Sequence, residues 1–117
     1  MTDLQPALYP DLIMPDTTDK TIEEQFNEFM DANPWVLRWF TSHALHLVDV
    51  GHKRIGINML REVFRYESML GTDDPNSTYK INNNYAPYLA RRLAAADPRL
   101  ADVFEFRRSR ADETETA

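Results

Sequence analysis

The sequence predicts a mainly α fold with short β-strands: a helical N-terminal half and a winged-helix-like C-terminal half, meaning a helix-turn-helix plus a small sheet. Three observations carry this expectation. Apolar residues recur at helical spacing in four separate stretches between residues 22 and 96. Between and after them lie three short β-leaning runs, residues 53–57, 78–81 and 103–108, the last alternating with period two. Glycine, proline and asparagine fall between the stretches, where turns and helix ends need them. At 117 residues the chain is read as a single domain.

Residues 1–20 carry Pro6, Pro10 and Pro15, which fix φ and remove donors, so this segment is expected to be an extended arm. Leu8, Tyr9, Leu12, Ile13 and Met14 make it too apolar for a solvated tail, and it is expected to lie over the core or on a partner chain. Residues 21–51 form a helical pair. Thr21 and Glu24 have the spacing of a capping box, and Ile22, Phe26, Phe29 and Met30 share the face behind it. Asn33-Pro34 ends the first helix and starts the second, with Asn33 as the N-cap. The second helix is apolar around most of its girth, from Trp35 to Val48, which places it centrally, and Gly51 closes it.

Residues 53–108 form the winged-helix-like unit. Asn58 is the expected cap of a third helix bearing Leu60, Val63, Phe64, Met69 and Leu70, and Gly71 ends it. A turn-rich loop, TDDPNS, follows at residues 72–77. The fourth helix runs from about Asn84 to Ala96 with Pro87 in its first turn, and Asp97-Pro98 stops it. The closing strand puts Phe104 and Phe106 on one face and Val103, Glu105 and Arg107 on the other. Residues 109–117 are expected to be a frayed acidic tail.

Net charge is −6, yet it lies in blocks: −7 over residues 1–50, +4 over residues 51–110, and −3 over the tail. The basic block makes duplex DNA a candidate partner, although the acidic half weakens any attraction to a polyanion. Within that block the stretch KINNNYAPYLARR, residues 80–92, is the least ordinary. Lys80, Asn82, Asn83, Asn84, Arg91, Arg92, Arg107 and Arg108 are the candidate nucleic-acid contacts: asparagine amides suit adenine edges and the cations suit phosphates. Two readings of the asparagines stay open, a turn with a cap or a polar contact surface. Tyr85 and Tyr88 are expected in the core, as aromatic stripes at helical spacing usually are. Of the N-terminal aromatic residues most are expected to be core, with Trp35 and Trp39 as candidates for a partner or dimer surface.

The absence of cysteine excludes disulfides and thiolate metal sites and fits a reducing compartment. His43, His46, Asp49 and His52 drift off one helical face, so no metal site is assigned. Asp73, Asp74 and Glu105 lack the lysine that a metal-dependent nuclease wants beside its last acid. Ser42-His43 has no third member for a hydrolase triad, and no glycine-rich phosphate loop is present. The expectation is therefore a protein without enzymatic activity or cofactor. No apolar run reaches the ~20 residues of a membrane span. The N-terminus also lacks the pattern of a secretory signal, which together suggest a cytoplasmic protein.

The succession KRIGINMLREVFRYE, YKINNNYAPYLARRL and DPRLADVFEFRR, with NPWVL at residues 33–37, resembles a family of small bacteriophage and prophage proteins. The likeness covers roughly residues 22–108 and leaves the arm outside. That family has no assigned activity, so the resemblance implies phage or prophage origin and a bacterial host cytoplasm, and supplies no catalytic residues. Two functions follow as expectations. The first is a phage-encoded DNA-binding protein with a role in transcription or genome maintenance, whose acidic half either mediates self-association, as in a homodimer, or tempers non-specific binding. The alternative is a small interaction protein that binds and modulates a host protein, with a virion or assembly component as a weaker third.

Overall fold

A computed structural model of the chain describes residues 9–72, 74 and 76–104. Its elements are four helices: α1 (Ile22–Ala32), α2 (Pro34–Val50), α3 (Ile57–Leu70) and α4 (Ala86–Ala96). Single 3-10 turns at Asn83–Tyr85 and Pro98–Leu100 bracket α4. Helix α2 touches α1, α3, α4 and the turn after α4, as its all-round apolarity requires. Val36, Phe40 and Ala44 of α2 are fully buried among Phe29 of α1, Leu60 and Phe64 of α3, and Leu89 and Leu93 of α4.

Several helix ends form as local chemistry dictates. The Glu24 amide donates to Thr21 Oγ1 at 3.1 Å and the Thr21 amide to Glu24 Oε1 at 2.8 Å, completing the capping box. Gly51 ends α2 in the left-handed region at φ +120°, and its amide donates to the carbonyls of Leu47 and Val48. Pro87 sits in the first turn of α4, and Gly71 terminates α3.

Two expected caps do not form. Asn58 lies inside α3, whose N-cap is Gly56, and its side chain instead accepts a hydrogen bond from Arg61 at 2.6 Å. Asn33 stands at the start of α2 but makes no side-chain cap there. Its amide group serves the arm: Oδ1 accepts from the Ile13 amide, and Nδ2 donates to the Ile13 and Phe29 carbonyls, each at 2.8 Å.

Neither the small sheet nor the winged-helix half forms among the described residues. Among the described residues there is no strand, only one isolated parallel bridge between Ile55 and Phe104, with the Ile55 amide donating to Val103 O at 2.8 Å. The physical reason is visible at residues 78–81. Tyr79 and Ile81 are buried while Thr78 and Lys80 are exposed, so the alternation is real. Yet Tyr79 adopts φ +51°, which breaks the pleat, and the carbonyls of Thr78 and Ile81 accept from Arg65 and Arg61 of α3. Side chains of a helix take the place of a neighbouring strand. At the C-terminal run Val103 and Phe104 are both buried, against the expected alternation, and residues 105–117 lie outside those described. Nor do α3 and α4 make a helix-turn-helix: the whole segment from Gly71 to Tyr85 separates them.

The arm from Tyr9 to Lys20 lies over α1, α2 and α3. Tyr9 is its peg. Its ring packs 5.7 Å from that of Trp35, its hydroxyl accepts from Trp39 Nε1 at 3.3 Å, and its carbonyl accepts from the Tyr79 hydroxyl at 2.8 Å. The ring occupies the space that a side chain on Gly71 would need, since a Cβ there would lie 2.4 Å from Tyr9 Cδ2. Gly71→Ala is thus expected to displace the peg and cost about 1–3 kcal/mol, the usual range for overpacking. A thermal melt and tryptophan emission check it: the midpoint falls and the spectrum of Trp35 and Trp39 shifts, whereas an unchanged spectrum would mean the peg does not sit there.

Candidate interaction surface

The asparagine run divides into three separate roles. Asn82 caps the 3-10 turn, its Oδ1 accepting from the Asn84 amide at 2.9 Å. Asn83 Oδ1 accepts from the Arg61 guanidinium, tying the turn to α3. Asn84 is exposed. Arg61 therefore collects Asn58, Asn83 and the Ile81 carbonyl in one fork, and burial pushes its acidity up by lowering its pKa from the usual arginine value. Tyr85 is 2% exposed, lies against Phe26 and Phe29, and has its hydroxyl pKa raised by burial and then by Glu28. Tyr88 is half-buried on Phe26.

The cations of the stretch are spread out. Arg92 lies over the Phe26 ring at 5.1 Å and donates to Asn27 Oδ1 at 2.8 Å, joining α4 to α1. Arg91 is exposed beside Tyr88, its guanidinium 5.8 Å from the ring centroid. Lys80 is exposed on the segment before the 3-10 turn. Arg107 and Arg108 lie outside the described residues. The groups expected to form one basic face thus include one that braces two helices and an asparagine that anchors an internal arginine. The DNA-binding expectation, which drew its geometry from a recognition helix and a wing, is withdrawn with them.

Trp35 and Trp39 are covered by the chain itself. Trp39 is 7% exposed, makes edge contacts with Phe40 and Phe64, and stacks on His43 at 3.8 Å. Trp35 is half-buried between Tyr9 and Phe64. Their aromatic surface meets the arm of the same molecule rather than open solvent. His43 is held in place by the Trp39 carbonyl, 2.9 Å from Nδ1, with Glu67 Oε1 3.4 Å from Nε2.

Besides Ile13 and Met14 of the arm and Val50 at the end of α2, the exposed large apolar side chains of the described residues lie on α3. Met59, Val63, Tyr66 and Leu70 fall at i, i+4, i+7 and i+11 and form one stripe along the helix. Val63 is half-buried, but Tyr66 and Leu70 are 67% and 70% exposed and Met59 47%. Met69, also 47% exposed, extends it to one side. A different stripe, Ile57, Leu60, Phe64 and Ser68, faces the core. On the helical wheel Glu62 and Glu67 flank the exposed stripe, one on each side, while Arg65 and Arg61 lie beyond Glu62, turned away from the stripe, and bond residues 78–83. Met69 and Leu70, expected to keep helical spacing with Leu60, Val63 and Phe64, thus lie on the outer side of α3, together with Tyr66, which was not among the residues expected to matter there. The signal was present in the spacing: α3 carries two apolar stripes about 100° or more apart, and one helix face suffices for its core contacts.

No helix among the described residues is long and apolar enough to cross a membrane. No family model, no curated protein and no solved structure matches the chain. Bacteriophage or prophage origin, which rested on resemblance alone, is therefore withdrawn as an attribute of the chain.

Proposed function

We propose that the protein is a non-enzymatic interaction module that binds another protein through the outer face of α3. The observation that carries this reading is the stripe of Met59, Tyr66 and Leu70, three large apolar side chains left in water along a helix whose core face is already complete. Methionine and tyrosine suit such a role, since the first adapts its shape and the second offers a rigid ring with a polar tip.

The flanking charges indicate the partner's chemistry. An apolar stripe edged by Glu62 and Glu67 fits an apolar surface edged by lysine or arginine, such as a basic amphipathic helix. Self-pairing fits less well. In an antiparallel pair of α3 helices each flank of one faces the same flank of the other, Glu62 toward Glu62 and Glu67 toward Glu67, and like charges there oppose association.

The test uses a synthetic amphipathic peptide with a leucine face rimmed by lysine, titrated into the full-length protein. Saturable binding that weakens with salt is expected, and Tyr66→Glu with Leu70→Glu should reduce it at least tenfold. Both positions are exposed, so the double variant should keep its unfolding free energy within about 1 kcal/mol of the parent. Binding that survives both substitutions would place the contact on another face.

A further inference from the structure

We propose that the socket for the arm also works between molecules, so that residues 9–16 of one copy can occupy the body of a second. Every anchor of the arm lies on the body: Asn33 for Ile13, Ser77 for Asp11 (2.6 Å), Tyr79 for the Tyr9 carbonyl, and the Trp35, Trp39 and Gly71 recess for the Tyr9 ring. A second copy's arm would find the same partners, so exchange forfeits none of these contacts.

The connection to α1 is where the two forms differ. In the closed form the chain reverses through a turn at Thr17 to Lys20, whose one internal backbone bond is the long contact from the Lys20 amide to Thr17 O at 3.4 Å, with the Thr18 amide donating to Asp16 Oδ1 at 3.0 Å and Gln25 Nε2 to the Lys20 carbonyl at 3.1 Å. Asp19 in that turn sits at φ +57°, a left-handed conformation that L-residues adopt at a cost. Glu28 clamps both sides of the turn, accepting from the Asp16 amide and from Lys20 Nζ. Opening the hinge releases the Asp19 conformation, and strained short hinges favour exchange. Charge acts in the other direction. Asp16, Asp19, Glu23, Glu24 and Glu28 crowd the hinge with Lys20 as the single cation among residues 16–28, so two hinges brought together repel and added salt favours the exchanged dimer.

A tethered arm has an effective concentration in the millimolar range, so exchange sets in as the protein approaches roughly 1 mM and earlier if the hinge is shortened. The chain has no cysteine, which makes a designed pair unambiguous. In full-length Asp11→Cys/Ser77→Cys the two thiols replace groups in contact, and a non-reducing gel separates intrachain from interchain bridges. Samples are held at about 10 µM or about 1 mM, diluted to equal concentration and oxidised at once. The expected result is an interchain share that rises at least fivefold with holding concentration and rises again in high salt. Deleting Thr17 and Thr18 should make it the major product at the lower concentration. Intrachain bridges at every concentration and in the deletion variant, or no bridge of either kind, would overturn the proposal. Should the cysteine pair disturb folding, light scattering of the unmodified protein decides: a dimer growing in with concentration and salt supports exchange, and a monomer throughout refutes it.

Discussion

Phe64→Ala is expected to cost about 3–5 kcal/mol of folding stability, the range for truncating a fully enclosed phenylalanine. Phe64 is the hub of the aromatic core. It has no solvent exposure, and its ring lies 5.5 Å from Trp35, 5.1 Å from Trp39, 5.2 Å from Phe40 and 6.4 Å from Tyr79. Those neighbours come from α2 and from the segment after α3, so no single element can move in to fill the space. Three of them, Trp35, Trp39 and Tyr79, also hold Tyr9, and the cavity would loosen the arm as well. Denaturant unfolding checks the magnitude, with a lower midpoint at an unchanged slope. A loss below about 1 kcal/mol would show that the surrounding rings collapse freely, contrary to a rigidly packed core. Phe64→Leu, which keeps most of the volume, should cost far less.

The second large effect belongs to a polar residue. Asn33→Ala is expected to cost about 2–4 kcal/mol, because it deletes three hydrogen bonds and strands the amide and carbonyl of Ile13, while the Phe29 carbonyl keeps the Asn33 amide at 3.0 Å. Asn33 is 1% exposed, and its amide meets both the N–H and the C=O of Ile13, as a paired strand would, while holding the Phe29 carbonyl at the end of α1. A hydrophobic replacement cannot repair this, since the groups left behind are backbone. The variant should lose the arm before it loses the helices: tryptophan emission changes at low denaturant, and helical circular dichroism follows at higher concentration. Coincident loss of both signals would mean the arm and the helical body unfold as one unit. Asn33→Asp tests the donor separately, for it keeps the oxygen that Ile13 N–H needs and forfeits both bonds from Nδ2.

How much of this was legible depended on the range over which each residue acts. The start of α1 and the C-terminal ends of α2 and α3 could be read because a capping box, a left-handed glycine and a terminal glycine are decided within one turn. Asn33 could not, although the same rules name it a cap. Its true partner is Ile13, twenty positions earlier, and nothing local marks that pairing. The alternation of Tyr79 and Ile81 correctly announced which side chains are buried. It did not announce a ladder, because burial has period two wherever an extended chain crosses a core, whether or not another strand lies beside it. The reading of the basic stretch met a similar limit. Composition located the arginines in one half of the chain, but could not tell that Arg61 and Arg92 bond to Asn83 and Asn27. The face of α3 was readable from spacing alone, as a second stripe beside the first, and merging the two hid it.

The two arginines of α3 have one more effect. An extended segment on a protein surface offers free carbonyls and amides, and a stranger's strand can add to them. At Thr78 and Ile81 the carbonyls that such an intruder would use are already taken by guanidinium groups. A charged cap of this kind is poorly mimicked by an incoming backbone and is held in place by a helix. The segment after α3 is thereby guarded against the edge-to-edge growth that leads to aggregates, by side chains whose first task is to hold it down.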